Sequence, residues 1–385
     1  MTHHTIIQGD ARAGLLILPD DSVHCCVTSP PYFQQRDYGA DGQIGLEPTP
    51  ADYIAALVEV CRGVRRVIRP DGTFWLNVGD SHARKRYDDP LFGPIKEGDL
   101  IGIPWMLAFA LRREGWYLRM DNIWAKTNPK PSSVKNRTTA SHEYIFHLTK
   151  IPTGYFYDRE AILEPLKHPE AAGVLFGGKK YPGNVPNATY SGNAYDPSAL
   201  GGRNKWSVWT MATASYAGNH TAVFPEALVR TCILAGTSAA GCCPACGAPY
   251  RRVIEVGEAN RAWQQACGGD KNGEYRGTAK KDYQKAQAED ASAIKARILQ
   301  GLRTKRTVGW EPTCTCDAGD PVPCTVLDPF HGSGTVTIFC RDHGRSSVGL
   351  DLNPANIVEA RNRLGLDGQA LLDTGAVEYE FLVVE

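Results

Sequence analysis

Apolar positions along this chain follow two alternating rhythms, and the alternation gives the fold class before any chemistry is considered. From Asp21 to Thr28 the residues Val23, Cys25, Cys26 and Val27 form a short apolar run that stops at Ser29-Pro30-Pro31, as a buried strand running into a loop would. Thr49-Pro50 with Asp52 then gives a helix start, and Ile54, Leu57, Val58, Cys61, Val64 and Ile68 recur at helical spacing until Pro70-Asp71-Gly72. Thr73 to Val78 predicts the next strand, Pro104 to Leu111 a helix closed by Gly115, and Trp116 to Trp124 and Glu143 to Leu148 two further strands. Much later the rhythm resumes with a strand at Thr325-Val326-Leu327, a helix from Thr335 and a strand at Ser346 to Leu350. A helix from Pro354 to Leu364, capped by Asn353 and ended by Gly365, precedes a last strand at Val377 to Val384. This order predicts an α/β fold with a doubly wound, Rossmann-like sheet, whose ligands collect at the carboxyl ends of strands.

Between Gly154 and Asn219 the pattern dissolves into Gly, Asn, Tyr and Pro, which predicts irregular loops, and Ala279 to Arg306 reads as a helix rich in both charges. With 385 residues, 42% of them apolar and 22% charged, the chain suits one large domain carrying an insertion, or two domains. No apolar run reaches the roughly 18 to 20 residues that span a bilayer, and Met1 to Asp10 lacks the layout of a secretory signal, so a cytoplasmic protein without a membrane partner is expected. Twelve cysteines in so long a chain are then thiols or metal ligands rather than disulfides. Net charge is zero, which argues against indiscriminate coating of nucleic acid. Local excesses remain: eight Lys/Arg against three Asp/Glu from Arg112 to Lys150, and thirteen against seven from Arg251 to Trp310. Either is a solvated face or a phosphate-binding one.

Two loops carry the chemistry. Val326-Leu327-Asp328-Pro329-Phe330-His331-Gly332-Ser333-Gly334-Thr335 joins a strand to a helix, and its glycines let a ligand approach backbone at the helix start. Asp351 ends the next strand nineteen residues after Gly332, where a carboxylate can accept from ribose hydroxyls. Two glycines preceded by Asp and Phe suit a sulfonium amino acid joined to adenosine better than the pyrophosphate of a dinucleotide. The other loop, Val27-Thr28-Ser29-Pro30-Pro31-Tyr32-Phe33, offers the Ser29 hydroxyl and the Pro30 carbonyl as paired acceptors for the two hydrogens of an exocyclic amino group. Pro30 and Pro31 hold that loop open, and Tyr32 can stack on a base.

Together these loops resemble the signature motifs of the S-adenosylmethionine-dependent DNA amino-methyltransferases, with the catalytic motif first and the cofactor motif last as in the permuted β group. The resemblance implies a site-specific enzyme that flips a base out of double-stranded DNA and methylates adenine N6 or cytosine N4. Ser29 leans toward cytosine and the permuted order toward adenine, and adenine is placed slightly ahead. By the same resemblance Asp10, Thr28, Asp328, Phe330, Gly332, Ser333, Gly334 and Asp351 hold S-adenosylmethionine, Ser29, Pro30, Pro31 and Tyr32 are catalytic, and Lys126, Lys130, Lys135 and Arg137 meet phosphates. His331 falls on the motif's variable position, as a spacer or surface group. Cys243, Cys246, Cys314 and Cys316 form a C-x-x-C and a C-x-C pair able to hold one structural zinc, against the alternative of buried or free thiols; Cys242 and Cys324 are spare ligand candidates. The expected organisation is a catalytic half over 1–150, target recognition over 151–219, a return over 220–240, the cysteine-bearing insertion over 241–320 and the cofactor half over 321–385, with a homodimer as the expected assembly. RNA base methylation and a nonenzymatic zinc-containing DNA binder are the alternatives in other classes.

Overall fold

The computed structural model describes residues 1–89, 93–164, 203–214, 224–259, 303–366 and 377–384. Its centre is a nine-stranded sheet. In chain order the strands are β1 (Thr2–Gln8), β2 (Val23–Thr28), β3 (Ile68–Val78), β6 (Tyr117–Lys126), β7 (His142–Thr149), β8 (Val208–Met211), β11 (Thr325–Asp328), β12 (Ser346–Asp351) and β13 (Val377–Val383), with β4 (Tyr87–Asp89) and β5 (Gly93–Ile95) forming a small separate hairpin. The sheet order is β13-β1-β12-β11-β2-β3-β7-β6-β8. Every described pairing in it is parallel except those of β7, which runs antiparallel to both β3 and β6.

Helices α1 (Ala11–Leu16), α2 (Pro50–Val67) and α3 (Ile103–Arg113) pack on one another along one face. On the other, α4 (Glu226–Gly236) meets β2 and α5 (Thr335–Asp342), while α5 and α6 (Pro354–Leu364) pack together over β1 and β12. Helices on both faces of a mostly parallel sheet make the doubly wound α/β fold that the sequence predicts. Cys25, Cys26 and Val27 of β2 are at most 1% exposed, which is why that strand is apolar on both faces.

Local signals account for the boundaries. The Thr49 hydroxyl accepts from Asp52 N at 3.2 Å to start α2, Asn353 Oδ1 accepts from Ala355 N at 2.9 Å to start α6, and Gly365 ends α6 at φ 76°. Two expectations need correction. Pro70-Asp71-Gly72 does not separate helix from strand: α2 ends at Val67 and β3 begins at once, because Val23 pairs with Ile68 ahead of a bulge that resets the register. Arg303 to Arg306 belongs to strand β10 (Arg303–Glu311), which pairs with β9 (Arg251–Ala259), and the rest of the expected charged helix lies outside the described residues. Most of 154–219 also lies outside them, but β8 and a 3-10 turn at Arg159–Ile162 show that this interval is not loop throughout.

The chain divides into two compact units. One comprises Met1–Asp158, Trp206–Arg251 and Pro312–Glu385, and holds the sheet, its helices and all the motif residues. The other comprises Arg159–Lys205 and Arg252–Glu311. Within it Glu164 binds Arg203 and Lys205, and Arg252 stacks over Trp310.

Candidate active site

Strand direction decides what meets. Because β1, β2, β3, β11 and β12 are mutually parallel, their carboxyl ends present Asp10, Ser29, Gly79, Phe330 and Asp351 along one edge. Lys126, at the end of β6, and Glu143, at the start of the antiparallel β7, reach the same edge. A cleft of about 650 Å³ opens there, lined at one end by Ser29, Pro30 and Tyr32 and at the other by Phe330, Gly332 and Asp351.

The two motifs are joined behind this lining. Val326 and Leu327 pair with Cys25 and Cys26, and the Thr28 hydroxyl donates to Asp328 Oδ1 at 2.6 Å. Thr28 and Asp328 are 2% and 1% exposed, so they form the floor beneath the cleft rather than its wall. Burial pushes the Asp328 carboxyl up to about 7, against the bonds from the Thr28 hydroxyl and the Phe330 N–H that favour its charge; its Oδ2 has no hydrogen-bond partner among the described residues. Gly332 (φ 53°) turns the cofactor loop, and its N–H donates to Asp351 Oδ2 at 2.7 Å. Asp351 Oδ1 also accepts from Asn353 N and Asn356 Nδ2, which fixes the carboxylate at the strand end. Gly9 N donates to Asp351 O at 2.9 Å, so Asp10 arrives beside the same loop. There Asp10 caps α1 and takes a paired bond from Arg12, which holds its carboxyl below the usual range.

His331 is a spacer, not a surface group. Its ring is 3% exposed and packs between Gly334 and Gly349, burial lowers its pKa to about 4, and neither ring nitrogen has a hydrogen-bond partner among the described residues.

At the other end of the cleft a polar network surrounds Tyr32 that motif reading did not foresee. Glu143 Oε2 accepts the Tyr32 hydroxyl at 2.6 Å and Asn77 Nδ2 at 3.2 Å, and Glu143 Oε1 pairs with Lys126. Tyr32 therefore keeps its proton, its pKa raised by burial and then by the Glu143 charge. The Ser29 hydroxyl stands 3.5 Å from Tyr32 Oη. Glu143 lies in the run Ser141-His142-Glu143-Tyr144, and its partners are 17 to 111 residues away in the chain. Lys126 is thus engaged within the cleft, where Lys130 also lies, whereas Lys135 and Arg137 are exposed on the β6–β7 loop.

Comparison with known proteins agrees with this geometry. The DNA methylase family N6_N4_Mtase matches residues 23–242, from the start of β2 to the first insertion cysteine. The chain belongs to the N6/N4 DNA methylases. It is 33% identical to the Type II methyltransferase M.Cfr9I of Citrobacter freundii over 94% of this chain and 87% of that protein. It is 41% identical to the Type II methyltransferase M.SmaI of Serratia marcescens over 61% of this chain and 76% of that protein. Among solved structures, the PvuII DNA methyltransferase, described as cytosine-N4-specific, superposes with a TM-score of 0.51 at 13% identity, covering 96% of this chain and 90% of that one, a likeness of fold. Among the described residues no helix of this methylase is long and apolar enough to cross a membrane.

The insertion brings its thiols together. Cys243, Cys246, Cys314 and Cys316 place all four sulfur atoms within 4.8 Å of one another. Cys243 to Ala248 forms a tight knuckle: Gly247 N donates to Cys243 O at 2.8 Å, Cys243 N donates to Ala248 O at 2.9 Å, and the N–H groups of Cys246 and Ala245 point at the Cys243 sulfur.

Proposed function

We propose that this DNA methylase transfers a methyl group from S-adenosylmethionine to the exocyclic amino group of a base flipped out of double-stranded DNA, at one recognition sequence, as the modifying member of a restriction-modification pair. The observation that carries the reading is the Thr28–Asp328 contact of 2.6 Å, with the shared cleft above it. The cofactor end fits the group. Gly332 leaves backbone bare in the cleft, Asp351 is fixed at a strand end for ribose hydroxyls, and the buried Asp328 keeps the loop braced against β2. When bound, the cofactor supplies an electrophilic methyl on sulfur.

The protein's part is orientation. An exocyclic amine is a poor nucleophile while its lone pair is conjugated with the ring, and two acceptors on its hydrogens favour the tetrahedral geometry that frees it. Ser29 Oγ and the Pro30 carbonyl supply them; the methyl exchanges its bond to sulfur for one to nitrogen, and the proton that the nitrogen then sheds leaves along these acceptors. Tyr32, tethered by Glu143, offers its ring to the extruded base. Lys130, Lys135 and Arg137 are suited to phosphates along the cleft mouth. Both adenine N6 and cytosine N4 satisfy the same acceptor pair, so the reaction is common to both. The interval 151–219 and the insertion are assigned to target recognition, and the four knuckle cysteines to one structural zinc, as four converging thiols are a closed tetrahedral donor set for that ion.

Methylation-sensitive long-read sequencing of DNA from a host expressing the protein tests the reading. The expected result is a single modified motif carrying N6-methyladenine or N4-methylcytosine; methyl groups confined to RNA would contradict it.

A further inference from the structure

We propose that the zinc knuckle is a clasp that sets the cofactor strand against the catalytic strand, with His24 as its keystone, so that metal binding and S-adenosylmethionine binding are energetically coupled. The inference rests on the zinc reading above and adds a function to that site.

The geometry begins with His24, a buried residue of β2 five positions before Ser29. Its Nδ1 accepts from the N–H of Thr325, the first residue of β11, at 3.0 Å. Its Nε2 then carries the proton and donates to the Gly247 carbonyl of the knuckle at 2.9 Å. One imidazole thus ties together the catalytic strand, the cofactor strand and the cysteine turn, and both its nitrogens are used. A second tie comes from β3, where Arg69 donates to the Cys246 carbonyl at 2.7 Å; Arg69 is itself held by Asp71 at 2.8 Å. A Cβ on Gly247 would come within 2.6 Å of Arg69 Nη1, so the knuckle turn lies directly against this side chain.

Cys242 and Cys324 lie beneath the knuckle with His24, their ligand atoms within 4.8 Å of one another. They do not make a second metal site, because three groups are too few for a closed tetrahedron and His24 has no free nitrogen. They are the buttress. Cys242 exchanges both backbone hydrogen bonds with Val322, at 2.8 and 2.9 Å, and its thiol points at Val322 O. The chain leaving Cys316 is thereby delivered through Val322 to Thr325 at the start of β11.

The consequence is mechanical. All four residues of β11 are in register with β12 but only two with β2, so how β11 sets against the catalytic strand depends on what ties its two ends to β2. The far end is held by Thr28–Asp328 and the near end by His24–Thr325. Four thiols without an ion to draw them together do not keep a knuckle closed, whereas a bound zinc fixes Cys246-Gly247 and through it His24. Asp328 ends β11 and the cofactor loop follows it directly, so the ion reaches the cofactor site without touching it. By linkage the effect is reciprocal: whatever factor zinc adds to cofactor affinity, the cofactor adds to zinc affinity.

The test uses the full-length protein with three measurements: metal content, calorimetric affinity for S-adenosylmethionine, and hydrogen exchange at Thr325 and Val326. Wild type is expected to carry one zinc per chain, and cobalt substitution to give the thiolate-to-metal bands of a tetrahedral four-sulfur site. Cys316→Ser should lose the metal, bind S-adenosylmethionine roughly tenfold more weakly and exchange faster at Thr325. His24→Phe should retain one zinc yet lose similar cofactor affinity, because the thiols survive and the tie does not. Metal-free wild type without cobalt bands would overturn the zinc reading itself. Zinc-loaded wild type whose folded Cys316→Ser variant binds cofactor with unchanged affinity would overturn the clasp alone. Should His24→Phe fail to fold, the comparison of wild type with Cys316→Ser decides.

Discussion

A carboxyl group sealed from water resists ionisation, and Asp328 illustrates what that does to a binding site. Its folded pKa is raised from 3.8 to about 7, so the buried neutral acid is favoured, and this contribution to stability is present below pH 3.8 and lost as pH rises through about 7. Asp328→Asn, neutral at every pH, should therefore melt at a temperature close to wild type near pH 4 and progressively above it toward pH 8, as calorimetry of the cofactor-free proteins would show. A wild-type advantage that grows with pH would mean that Asp328 is paired rather than stranded. Gly79 makes a separate prediction. A Cβ there would stand 2.8 Å from Tyr32 Cε2 and 3.3 Å from Glu143 Cγ, so Gly79→Ala must push the ring away from the Glu143 tether. Single-turnover methyl transfer should fall about tenfold or more while S-adenosylmethionine affinity, which the proposed function assigns to the other end of the cleft, is retained. These residues also mark the limit of motif reading. Ser29 and Asp351 announce themselves by neighbours in sequence, but Glu143 acquires its role only when antiparallel β7 brings it to Tyr32 across 111 positions.

At the scale of elements, legibility followed how local the cause was. Helix α6 was readable because an Asn, a Pro and a Gly at its ends each act within a few residues. Helix α5 offers no such cue at its start: Gly334 in the left-handed region precedes it without a capping side chain, and the Asp-Pro-Phe motif had to stand in. The direction of β7 was illegible, since alternation of apolar residues is the same for either orientation. Strand β10 reads in sequence as the end of a charged helix because Arg and Lys are tolerated in both. Packing between elements gives its own prediction. Gly349 in β12 lies against the buried His331 ring, and a Cβ there would fall 2.2 Å from Nδ1. Gly349→Ala should cost about 1–3 kcal/mol of stability by overpacking and weaken cofactor binding by shifting His331 and its loop, measurable by denaturant unfolding and calorimetry. An unchanged midpoint would show that the ring can move away freely.

For the whole molecule the salient property is that sequence distance and spatial distance are decoupled. The catalytic loop and the cofactor loop are 300 residues apart in the chain and one hydrogen bond apart in space, since β2 and β11 are neighbours in the sheet. A permuted order costs nothing in such a sheet, because each loop is carried by its own strand and parallel strands put all their carboxyl ends on one edge. The long excursion between them leaves the methylase unit at Arg251 and returns at Pro312, and the paired cysteines stand on either side of that excursion. The most direct test of this arrangement is a single-turnover assay with methyl-labelled S-adenosylmethionine and duplex DNA containing the protein's site, run on wild type and Ser29→Ala after both have been titrated with cofactor. The expected result is equal cofactor affinity, with label passing to the amino group of a base for wild type alone. Absence of cofactor binding in wild type, or equal transfer by Ser29→Ala, would contradict the account.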